Sequence, residues 1–555
     1  MKQWHYRQYQ KAQVQRFAQQ EGIDPLFAAL LSQRGMNTYE AVKGFVRPDI
    51  THVSDPFLLP DMDRAVQRIL LARERGEQVT VFGDYDVDGL TSTTVVYNCL
   101  RSLGIKVNCY IPDRMTEGYG LNWEALKQIQ AEGTSLVVTV DLGVTAVEEI
   151  NAMKEMDFVI TDHHQPLEEL PAAAAVVDPK REDCQAPFRE LAGVGVAFKL
   201  VCALLRDCPL GEILREYIDL VCLGTIADIV PLYGENRFFA RCGLLWLERT
   251  KRPGLKALLR ESGYRNVDAT AVGFGLAPRI NAAGRMGSAK VALELLLTQD
   301  QQRGNQLAAE LCRLNSLRQQ TEQMIYTQAD RLLQSGGTDA PVLVASGQGW
   351  HQGVIGIVAS KLMNRYDKPV VLLSVEDGIA HGSARSVEGF PIFDALYECQ
   401  PYLIRFGGHD KAAGMTLAED QIPAFTEEIN QVALAVMEEG MSGGLLIDLA
   451  VEPEQVTMEL AKKLIFFEPF GTGNPQPVFS MADMRVVDCA PTKDGKHLRM
   501  TVQRGTYRFS CIGFGMGEDV VPPGTNVDIA FCVAVNQFRG KSCVNLILKD
   551  IHPLI

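Results

Sequence analysis

The sequence lacks the features that mark secreted, membrane and zinc-ribbon proteins. Its 13 cysteines include no C-x-x-C pair, which argues against a zinc ribbon and against a disulfide framework. No apolar run reaches the roughly 18 residues that a membrane helix requires, and residues 1–20 contain no apolar segment of the kind found in secretory signals. We therefore expect a cytoplasmic protein with reduced thiols.

The composition is that of an ordinary globular protein. The 555 residues are 46% hydrophobic and 22% charged, and a chain of this length is expected to form about three or four domains. The net charge of −14 is not typical of a nucleic-acid-binding protein. Basic residues nevertheless outnumber acidic ones in residues 1–20 and 485–555. Both ends could attract phosphates, and ordinary variation of surface charge is an equal alternative.

Strand-like and helix-like segments alternate from about residue 48 to 298, a pattern typical of a parallel sheet. The strand candidates are 79–82, 107–111, 136–140 and 158–160, and the helix candidates between them include 90–103 and 122–131. The stretch 303–333 has no proline and keeps a three-to-four-residue spacing of apolar positions. This spacing predicts a connecting helix about 45 Å long.

Two further units follow the predicted connecting helix. A second α/β unit begins with the apolar strand 341–344, and alternating apolar and polar residues after about residue 498 are typical of a small antiparallel barrel. The predicted organisation is an N-terminal helical segment (1–48), a parallel-sheet α/β domain (49–300), the connecting helix (301–337), a smaller α/β domain (338–440) and the barrel domain (441–555).

Three carboxylates stand at alternate positions in the string DYDVDG at 84–89, directly after a β-branched strand. An EF-hand calcium loop begins with this spacing, but its twelfth position here is Val95 instead of glutamate, and a strand precedes it instead of a helix. A purely structural acidic turn is the other alternative for one such loop. Two like charges about 4 Å apart cost roughly 4 kcal/mol at an effective dielectric of about 20. A bound cation would make the cluster tolerable.

Further acids and two histidines recur along the same domain. Asp141 and the string Asp162-His163-His164 each follow a predicted strand, and Asp228 interrupts an apolar run, where a carboxylate is rarely buried without a partner. Oxygen ligands with one or two imidazoles and no thiolate favour manganese or magnesium. Two such ions about 3.5–4 Å apart would hold a phosphate oxygen and activate water for in-line attack.

These acids and histidines, in this order, resemble the four motifs of the DHH phosphoesterase superfamily. The strings GWHQGVIG (349–356), GSARS (382–386) and GGHDKAAG (407–414) resemble its DHHA1 domain. With RINAAGRM (279–286) and the barrel, nearly the whole chain resembles the bacterial single-strand-specific 5′→3′ DNA exonucleases of the superfamily. The resemblance implies a parallel-sheet DHH domain joined by a long helix to a smaller α/β DHHA1 domain, followed by a C-terminal antiparallel β-barrel of the OB-fold.

The resemblance also implies roles for individual residues. The implied ligands are Asp88, Asp141, His163 and Asp228 for one Mn²⁺ or Mg²⁺ ion, and Asp84 and Asp86 for a second ion that Asp141 bridges. His164 would contact the phosphate or donate a proton, and Asp162 would support the histidines through a hydrogen bond. Arg279 and Arg285 of the RINAAGRM string complete the predicted catalytic residues.

A 5′-phosphate anchor is implied in the DHHA1 domain. Ser383, Arg385 and His409 stand among glycines that let backbone approach a ligand, and arginine can bind phosphate with two donors. A further basic residue is expected in the helix after the GVIG turn, and Lys361 stands there in place of the usual arginine. Without the resemblance, a plain surface charge and a plain turn are equal alternatives.

The barrel resembles an OB-fold, which binds single strands by stacking bases on aromatic side chains in a basic groove. The candidates are Tyr507, Arg508, Phe538 and Arg539, although most aromatic residues of strands lie in cores. The string FGTGNP at 470–475 lacks the Gly-Lys-Ser/Thr of a P-loop. We interpret it as a turn that leads into the barrel.

We expect a metal-dependent exonuclease that degrades single-stranded DNA from its 5′ end to mononucleotides in DNA repair and recombination. Its expected partners are the DNA strand, a single-strand-binding protein and a helicase that supplies unwound ends, with no membrane. Two alternatives stay open: a DHH phosphodiesterase for short oligoribonucleotides or cyclic dinucleotides, and a non-catalytic DNA-binding scaffold. The sequence contains each of the implied metal ligands, which favours an enzyme over a non-catalytic scaffold.

Overall fold

A computed structural model describes residues 2–114, 116–118, 120–437, 444–538 and 541–554 of the protein. The N-terminal segment contains β1 (Gln3–Tyr6), α1 (Lys11–Glu21), α2 (Pro25–Ser32) and α3 (Tyr39–Val46). The sequence pattern predicts helices here, whereas β1 is held by parallel pairing with residues 444–447. A strand held by so distant a partner leaves little local signal.

The next segment forms a parallel α/β domain. Its elements are α4 (Met62–Arg75), β2 (Gln78–Gly83), α5 (Val87–Ser102), β3 (Lys106–Tyr110), α6 (Trp123–Ala131), β4 (Thr134–Val140), α7 (Val147–Ala152), β5 (Asp157–Thr161), β6 (Ala175–Val177), α8 (Gly193–Leu204), α9 (Leu210–Ala227), α10 (Gly234–Leu247), α11 (Pro253–Ser262), α12 (Ala277–Met286) and α13 (Lys290–Leu297). The sheet order is β3-β2-β4-β5-β6 with every pairing parallel. The four predicted strands are confirmed, and β6 is an addition.

The strands of this sheet are apolar along their length because both faces are covered. Val138 and Val159 belong to one hydrophobic core, and the alternate residues Val137 and Ile160 belong to the core on the other face. This is the residue pattern of parallel strands buried between two layers of helices. It places the loops at the carboxyl ends of the strands at one edge of the sheet.

The predicted connecting helix is confirmed as α14 (Gln301–Gly336), which has 36 residues. It leads into a smaller α/β domain made of β7 (Leu343–Gln348), α15 (Gln352–Tyr366), β8 (Val370–Glu376), β9 (Ile379–Arg385), α16 (Ile392–Glu398), β10 (Arg405–His409), β11 (Ala412–Ala418) and α17 (Ile422–Met437). Its sheet order is β10-β11-β9-β8-β7, in which only β7 and β8 pair in parallel.

The C-terminal segment closes into a five-stranded barrel. It contains β12 (Gly444–Ile447), β13 (Leu449–Ala450), α18 (Met458–Leu464), β14 (Phe479–Pro491), β15 (Leu498–Arg504), β16 (Tyr507–Gly513), β17 (Asn526–Phe538) and β18 (Lys541–Pro553). The strands close in the order β14-β15-β16-β18-β17 and back to β14. The predicted OB-fold barrel is confirmed, with one parallel pairing, between β16 and β18.

The two ends of the chain share one hydrophobic core. Phe17 and Leu30 of the N-terminal helices pack in the same buried cluster as Phe531 of the barrel. The Nε1 atom of Trp4 donates a hydrogen bond to Oδ2 of Asp550 at 2.8 Å. The N-terminal segment is therefore a structural part of the barrel domain. Within the described ranges, no helix combines the length and the apolar character needed to cross a membrane.

Candidate metal centre and substrate cleft

The predicted metal ligands converge at the carboxyl edge of the parallel sheet. Asp84 follows β2, Asp141 follows β4, and His163 lies just beyond β5. Asp86 is the N-cap residue of α5, and Asp88 lies in its first turn. Open α/β sheets bind their ligands at this edge because the loops after neighbouring strands meet there.

Asp228 reaches the cluster from a helix instead of a strand. It follows α9 directly, and its backbone N–H donates to the carbonyl of Gly224 at 2.9 Å. Its Oδ2 atom lies 3.8 Å from Nε2 of His163. The next residue, Ile229, has a φ of 63°, a left-handed conformation that is uncommon for a β-branched side chain.

The ligand atoms form three overlapping groups, and within each group they lie within 4.8 Å of one another. The groups are Asp88, His163 and Asp228; Asp84, Asp86 and Asp141; and Asp141, His163 and His164. The first two groups divide the ligands as in the predicted pair of centres. Asp141 lies between them, with its Oδ1 atom 3.0 Å from Nε2 of His163.

The donor set fits a divalent cation. Three buried atoms of the cluster have no hydrogen-bond partner, namely Oδ1 of Asp84, Oδ1 of Asp141 and Nε2 of His163. Buried polar atoms without partners are costly, by about 1–3 kcal/mol each, unless a ligand satisfies them. Carboxylate oxygens with an imidazole nitrogen and no thiolate suit Mn²⁺ or Mg²⁺.

Burial and mutual repulsion make the carboxyls of the cluster hard to ionise. Burial, followed by the charge of Asp86, raises the pKa of Asp88 to about 7. Burial, followed by Asp88, raises the pKa of Asp228 to about 9 and that of Asp141 well above its usual value. A bound cation would reverse these shifts because it favours the charged form of each carboxyl.

Two glycines allow the backbone to lie in contact with the side chains of Asp141 and Asp88. A Cβ atom at Gly193 would lie 2.4 Å from Oδ1 of Asp141, and one at Gly224 would lie 2.9 Å from Oδ1 of Asp88. The N–H groups of Gly193 and Val194 donate to the two oxygens of Asp88 at 2.7 and 2.8 Å. The first turn of α8 thereby orients Asp88, a role that the ligand motifs alone do not reveal.

His164 and Asp162 form a hydrogen-bonded pair beside the cluster. Nδ1 of His164 lies 2.7 Å from Oδ1 of Asp162, whose Oδ2 accepts the N–H of Val144 at 2.9 Å. Burial by itself lowers the pKa of His164, but the hydrogen bond and charge of Asp162 raise it to about 9. At neutral pH His164 is therefore a cation that can donate to a phosphate oxygen.

Two charged residues of this region are absent from the sequence prediction. Asp178 follows β6 with 0% exposure, its Oδ2 atom has no partner, and burial raises its pKa to about 8. Its position after a short apolar strand is the signal that also identifies Asp141. Arg114 lies 5.0 Å from the centre of the Tyr85 ring. It belongs to an irregular loop, in which the sequence carries no comparable pattern.

Arg285 lies at the contact between the two α/β domains, and Arg279 lies on the same helix. Nη1 of Arg285 donates to the carbonyl of Gly353 at 2.9 Å, which ties α12 to the start of α15. Burial, followed by the charge of Arg114, lowers the pKa of Arg285 to about 10. Nη1 of Arg279 donates to the carbonyl of Gly275 at 2.6 Å, and its buried Nε atom has no partner. These guanidinium groups are suited to phosphate binding.

The predicted phosphate anchor lies at the end of β9. Nη1 of Arg385 donates to Oγ of Ser383 at 3.0 Å, and a Cβ atom at Gly356 would lie 2.8 Å from Nη2 of Arg385. The strand register places His409 level with Arg385, two strands away. Burial, followed by the charge of Arg114, lowers the pKa of Arg385. Arg385 therefore lies within electrostatic range of Arg114 in the parallel-sheet domain.

Lys361, also predicted at the anchor, is engaged with a different group. Its ammonium forms an ion pair with Glu322 of α14, which accepts a further hydrogen bond from Arg318. The Lys361 side chain is 57% exposed. Its contribution to phosphate binding stays a prediction.

The predicted DNA-binding residues of the barrel lie on β16 and at the end of β17. Tyr507 is 43% exposed and stands opposite Arg504 in the ladder between β15 and β16, and Arg508 is exposed beside it. An exposed ring is suited to base stacking, whereas Arg508, the next residue of the strand, directs its side chain to the other face. Phe538 ends β17, but its side chain and the whole of Arg539 lie outside the described residues.

Comparisons with known proteins cover the whole chain. Family models match residues 78–225 (DHH family, N-terminal domain), 339–435 (DHHA1 domain) and 447–550 (RecJ OB domain). The chain is 39% identical to the single-stranded-DNA-specific exonuclease RecJ of Bacillus subtilis, over 99% of this chain and 70% of that protein. Against the Escherichia coli RecJ the identity is 33%, with 96% of each chain covered.

A solved structure shows the same arrangement of domains. The crystal structure of Thermus thermophilus RecJ in complex with Mn²⁺ matches with a TM-score of 0.85 at 29% sequence identity. The match covers 99% of this chain and 79% of that one.

Proposed function

The chain belongs to the RecJ family, and on this premise we propose that it is a metal-dependent exonuclease that degrades single-stranded DNA from the 5′ end to mononucleotides. The observation that carries the proposal is the buried acidic cluster with its three unpartnered acceptors. The domain that contains the proposed phosphate anchor is joined to the cluster's domain by the hydrogen bond from Arg285 to Gly353. A non-catalytic scaffold has no need for such a cluster.

Six residues are proposed to hold two divalent ions, Mn²⁺ or Mg²⁺. They are Asp88, His163 and Asp228 for one ion and Asp84 and Asp86 for the other, with Asp141 shared. Bound ions would polarise the scissile phosphate and lower the pKa of water. The orientation of Asp88 by the amides of Gly193 and Val194 prepares this site before the ions arrive.

The remaining residues position the strand. Arg385 and Ser383 bind the terminal 5′ phosphate, so the first internucleotide phosphate lies at the acidic cluster. Water attacks that phosphorus and the 3′ oxygen of the terminal nucleotide leaves, which releases a 5′-mononucleotide and leaves a new 5′ phosphate on the shortened strand. His164, kept cationic by Asp162, donates a hydrogen bond to the scissile phosphate.

The barrel is proposed to hold the strand behind the cleft. Stacking of a base on an aromatic side chain is worth about 1–3 kcal/mol, and Tyr507 is the exposed aromatic candidate of β16. The match of residues 447–550 to the RecJ OB domain favours a long single strand over short oligoribonucleotides or cyclic dinucleotides as substrate.

We place the reaction in the cytoplasm, in DNA repair and recombination. Each of the 13 cysteines lies among the described residues and carries a free thiol, as expected in a reducing compartment. An enzyme that requires a single-stranded 5′ end depends on other proteins to open duplex DNA. A helicase and a single-strand-binding protein are therefore the proposed partners.

One side-by-side digestion tests the proposal. Labelled 5′-phosphorylated single-stranded DNA, the same strand in a blunt duplex, the RNA equivalent and a cyclic dinucleotide are incubated with the full chain and Mn²⁺. We expect mononucleotides from the DNA single strand, released from the 5′ end. Preferential cleavage of RNA or the cyclic dinucleotide, or release from the 3′ end, would contradict the proposal.

A further inference from the structure

We infer that the loop of residues 470–475, which precedes the barrel, positions Asp228 for metal binding. The inference rests on the proposed role of Asp228 as a ligand and extends the metal site to residues outside the DHH domain. The sequence pattern of this loop, FGTGNP, indicates only a turn. Its contacts indicate that it supports the segment that follows Asp228.

Asp228 lacks the support that Asp84 and Asp141 receive from the central sheet. Asp84 and Asp141 directly follow strands of the central sheet, and the ladders hold them in place. Asp228 is followed by Ile229, which combines a φ of 63° with a side chain that is 71% exposed. A strained conformation of this kind persists only where surrounding structure holds it. The mostly exposed side chain of Ile229 provides little of that support.

The support comes from the next residues of the segment, which dock on the loop. The N–H of Leu232 donates to the carbonyl of Thr472 at 2.7 Å. Leu232 is 3% exposed, and a Cβ atom at Gly471 would lie 2.7 Å from its Cδ1 atom. The backbone of the loop therefore lies directly against Leu232, and a methyl group on Gly471 would displace the end of the Leu232 side chain.

Gly473 also lies close to the segment that follows Asp228. It has a φ of 72°, and a Cβ atom there would lie 3.0 Å from Cβ of Pro231 and 3.0 Å from Cδ1 of Tyr233. The carbonyl of Pro231 also accepts a hydrogen bond from Nδ2 of Asn236 at 3.1 Å. Residues 231–233 are thus held between α10 and the loop.

The loop is itself held from within. Asn474 is 1% exposed and donates through Nδ2 to the carbonyls of Phe467 and Pro469 at 2.7 and 2.9 Å. Its Oδ1 atom accepts from Nε of Arg34 at 3.0 Å. The backbones of Gly471 and Asn474 exchange hydrogen bonds of 3.0 and 3.1 Å. These bonds give the loop the rigidity that a positioning element requires.

Arg237 fixes the base of the loop to the DHH domain. It is 2% exposed and donates to the carbonyls of Phe45, Phe467 and Glu468 at 2.7, 3.1 and 3.0 Å. Its guanidinium also lies 3.6 Å from the centre of the Phe45 ring. These bonds therefore connect the helix that follows Asp228 to the residues just before the loop. A change in the loop should be transmitted to the Asp228 carboxylate.

The test compares two alanine substitutions in the full chain. Gly473→Ala places a methyl group against Pro231 and Tyr233. Gly495→Ala is the matched control, because Gly495 has a φ of 70° and a Cβ atom there would meet no atom within 4 Å. Both changes impose a left-handed alanine and its backbone strain, and only the first disturbs the docking.

Binding of Mn²⁺ to the DNA-free protein is measured by isothermal titration calorimetry. We expect Gly473→Ala to weaken binding of one ion about 10–100-fold, the effect typical of losing a residue that orients a ligand. Gly495→Ala should bind as the wild type does. In an Asp228→Asn background, Gly473→Ala should cause little further loss, because both changes act on the same ligand.

A milder variant keeps the inference testable if Gly473→Ala does not fold. Gly471→Ala adds one methyl group against Leu232 and should weaken Mn²⁺ binding in the same sense. Wild-type Mn²⁺ affinity in the folded loop variants would overturn the inference and leave the loop as a support for the barrel alone. Absence of Mn²⁺ binding by the wild type would instead overturn the proposed function.

Discussion

Nε2 of His163 lies 3.0 Å from Oδ1 of Asp141, and neither atom has a hydrogen-bond partner. Burial and the neighbouring charge of His164 lower the pKa of His163 to about 4, and the ring makes a hydrogen bond to the backbone of Leu191. The imidazole is therefore neutral at physiological pH. Once a bound cation favours the ionised form of Asp141, both atoms offer electron pairs at contact distance, as two ligands of one cation do.

Asp141→Asn should abolish hydrolysis and spare DNA binding. The loss of a ligand shared by both proposed ions should reduce kcat by more than about 100-fold, since even residues that only support a ligand typically contribute 10–100-fold. Binding of single strands in EDTA should stay near the wild-type value. Asp207→Asn, which changes an exposed carboxylate of the same domain, is the control. Near-normal turnover of the Asp141 variant with Mn²⁺ would refute the ligand assignment.

Without metal, the protein should lose stability as the pH rises from about 6.5 to about 9. The folded-state pKa values of Asp88 and Asp228, about 7 and about 9, exceed the unfolded value of about 4. Between the unfolded and the folded pKa the folded chain keeps a proton that the unfolded chain has released, so stability falls with rising pH across that interval and levels off above the folded pKa. The pKa of His164 is also raised, to about 9, and its effect on stability has the same sign. The stabilisation from the protonated ring is complete below the unfolded pKa and disappears as the ring loses its proton.

Thermal unfolding at the two ends of this pH range, with EDTA or with saturating Mg²⁺, checks this expectation. The melting temperature in EDTA should fall toward alkaline pH, and Mg²⁺ should reduce the fall. Asp228→Asn should make the EDTA profile flatter because it removes one of the titrating groups. A melting temperature in EDTA that is constant or rises with pH would contradict the expectation.

The rate of hydrolysis should depend on the protonation of His164. If the cationic ring donates to the scissile phosphate, kcat with Mg²⁺ should decline at alkaline pH as the ring loses its proton. Asp162→Asn removes the charge that lies 2.7 Å from Nδ1, so the pKa of His164 should fall and the alkaline decline should begin at lower pH. His164→Ala should lower kcat about ten- to hundredfold, the effect of losing a charge-assisted hydrogen bond worth about 1.5–3 kcal/mol. An unchanged pH profile in Asp162→Asn would exclude this role.

Arg385→Ala should reduce the preference for a 5′-phosphorylated end. A terminal phosphate carries more charge than an internal diester, so losing the guanidinium should slow phosphorylated substrates about ten- to hundredfold and 5′-hydroxyl substrates much less. The measurement is kcat/KM for two oligonucleotides that differ only at the 5′ end. Equal losses on both substrates would mean that Arg385 does not recognise the terminal phosphate.

Lys361→Ala is the informative comparison for the anchor. Its ammonium is paired with Glu322, so we expect the ratio of kcat/KM between the two oligonucleotides to stay near the wild-type value. A reduced ratio would instead assign Lys361 to the anchor, as the family resemblance implies.

Much of this protein follows from local patterns in the sequence. The β-branched runs before Asp84 and Asp141 predict strands whose carboxyl ends carry ligands. The repeat of 2.0 residues in a strand and of 3.6 residues in a helix can be recognised in a short stretch of sequence. The proline-free stretch 303–333 predicts the connecting helix by the same logic, and the structure confirms it as α14. These features need only neighbours along the chain.

Other features depend on contacts between residues far apart in the chain. The pairing of β1 with residues 444–447, the engagement of Lys361 by Glu322 and the docking of the FGTGNP loop beside Asp228 each join distant segments. Their energies come from packing and hydrogen bonds that exist only in the folded chain, so no local pattern encodes them. Sequence motifs therefore determined which residues could bind metal, and the tertiary structure decided which backbone holds them in place.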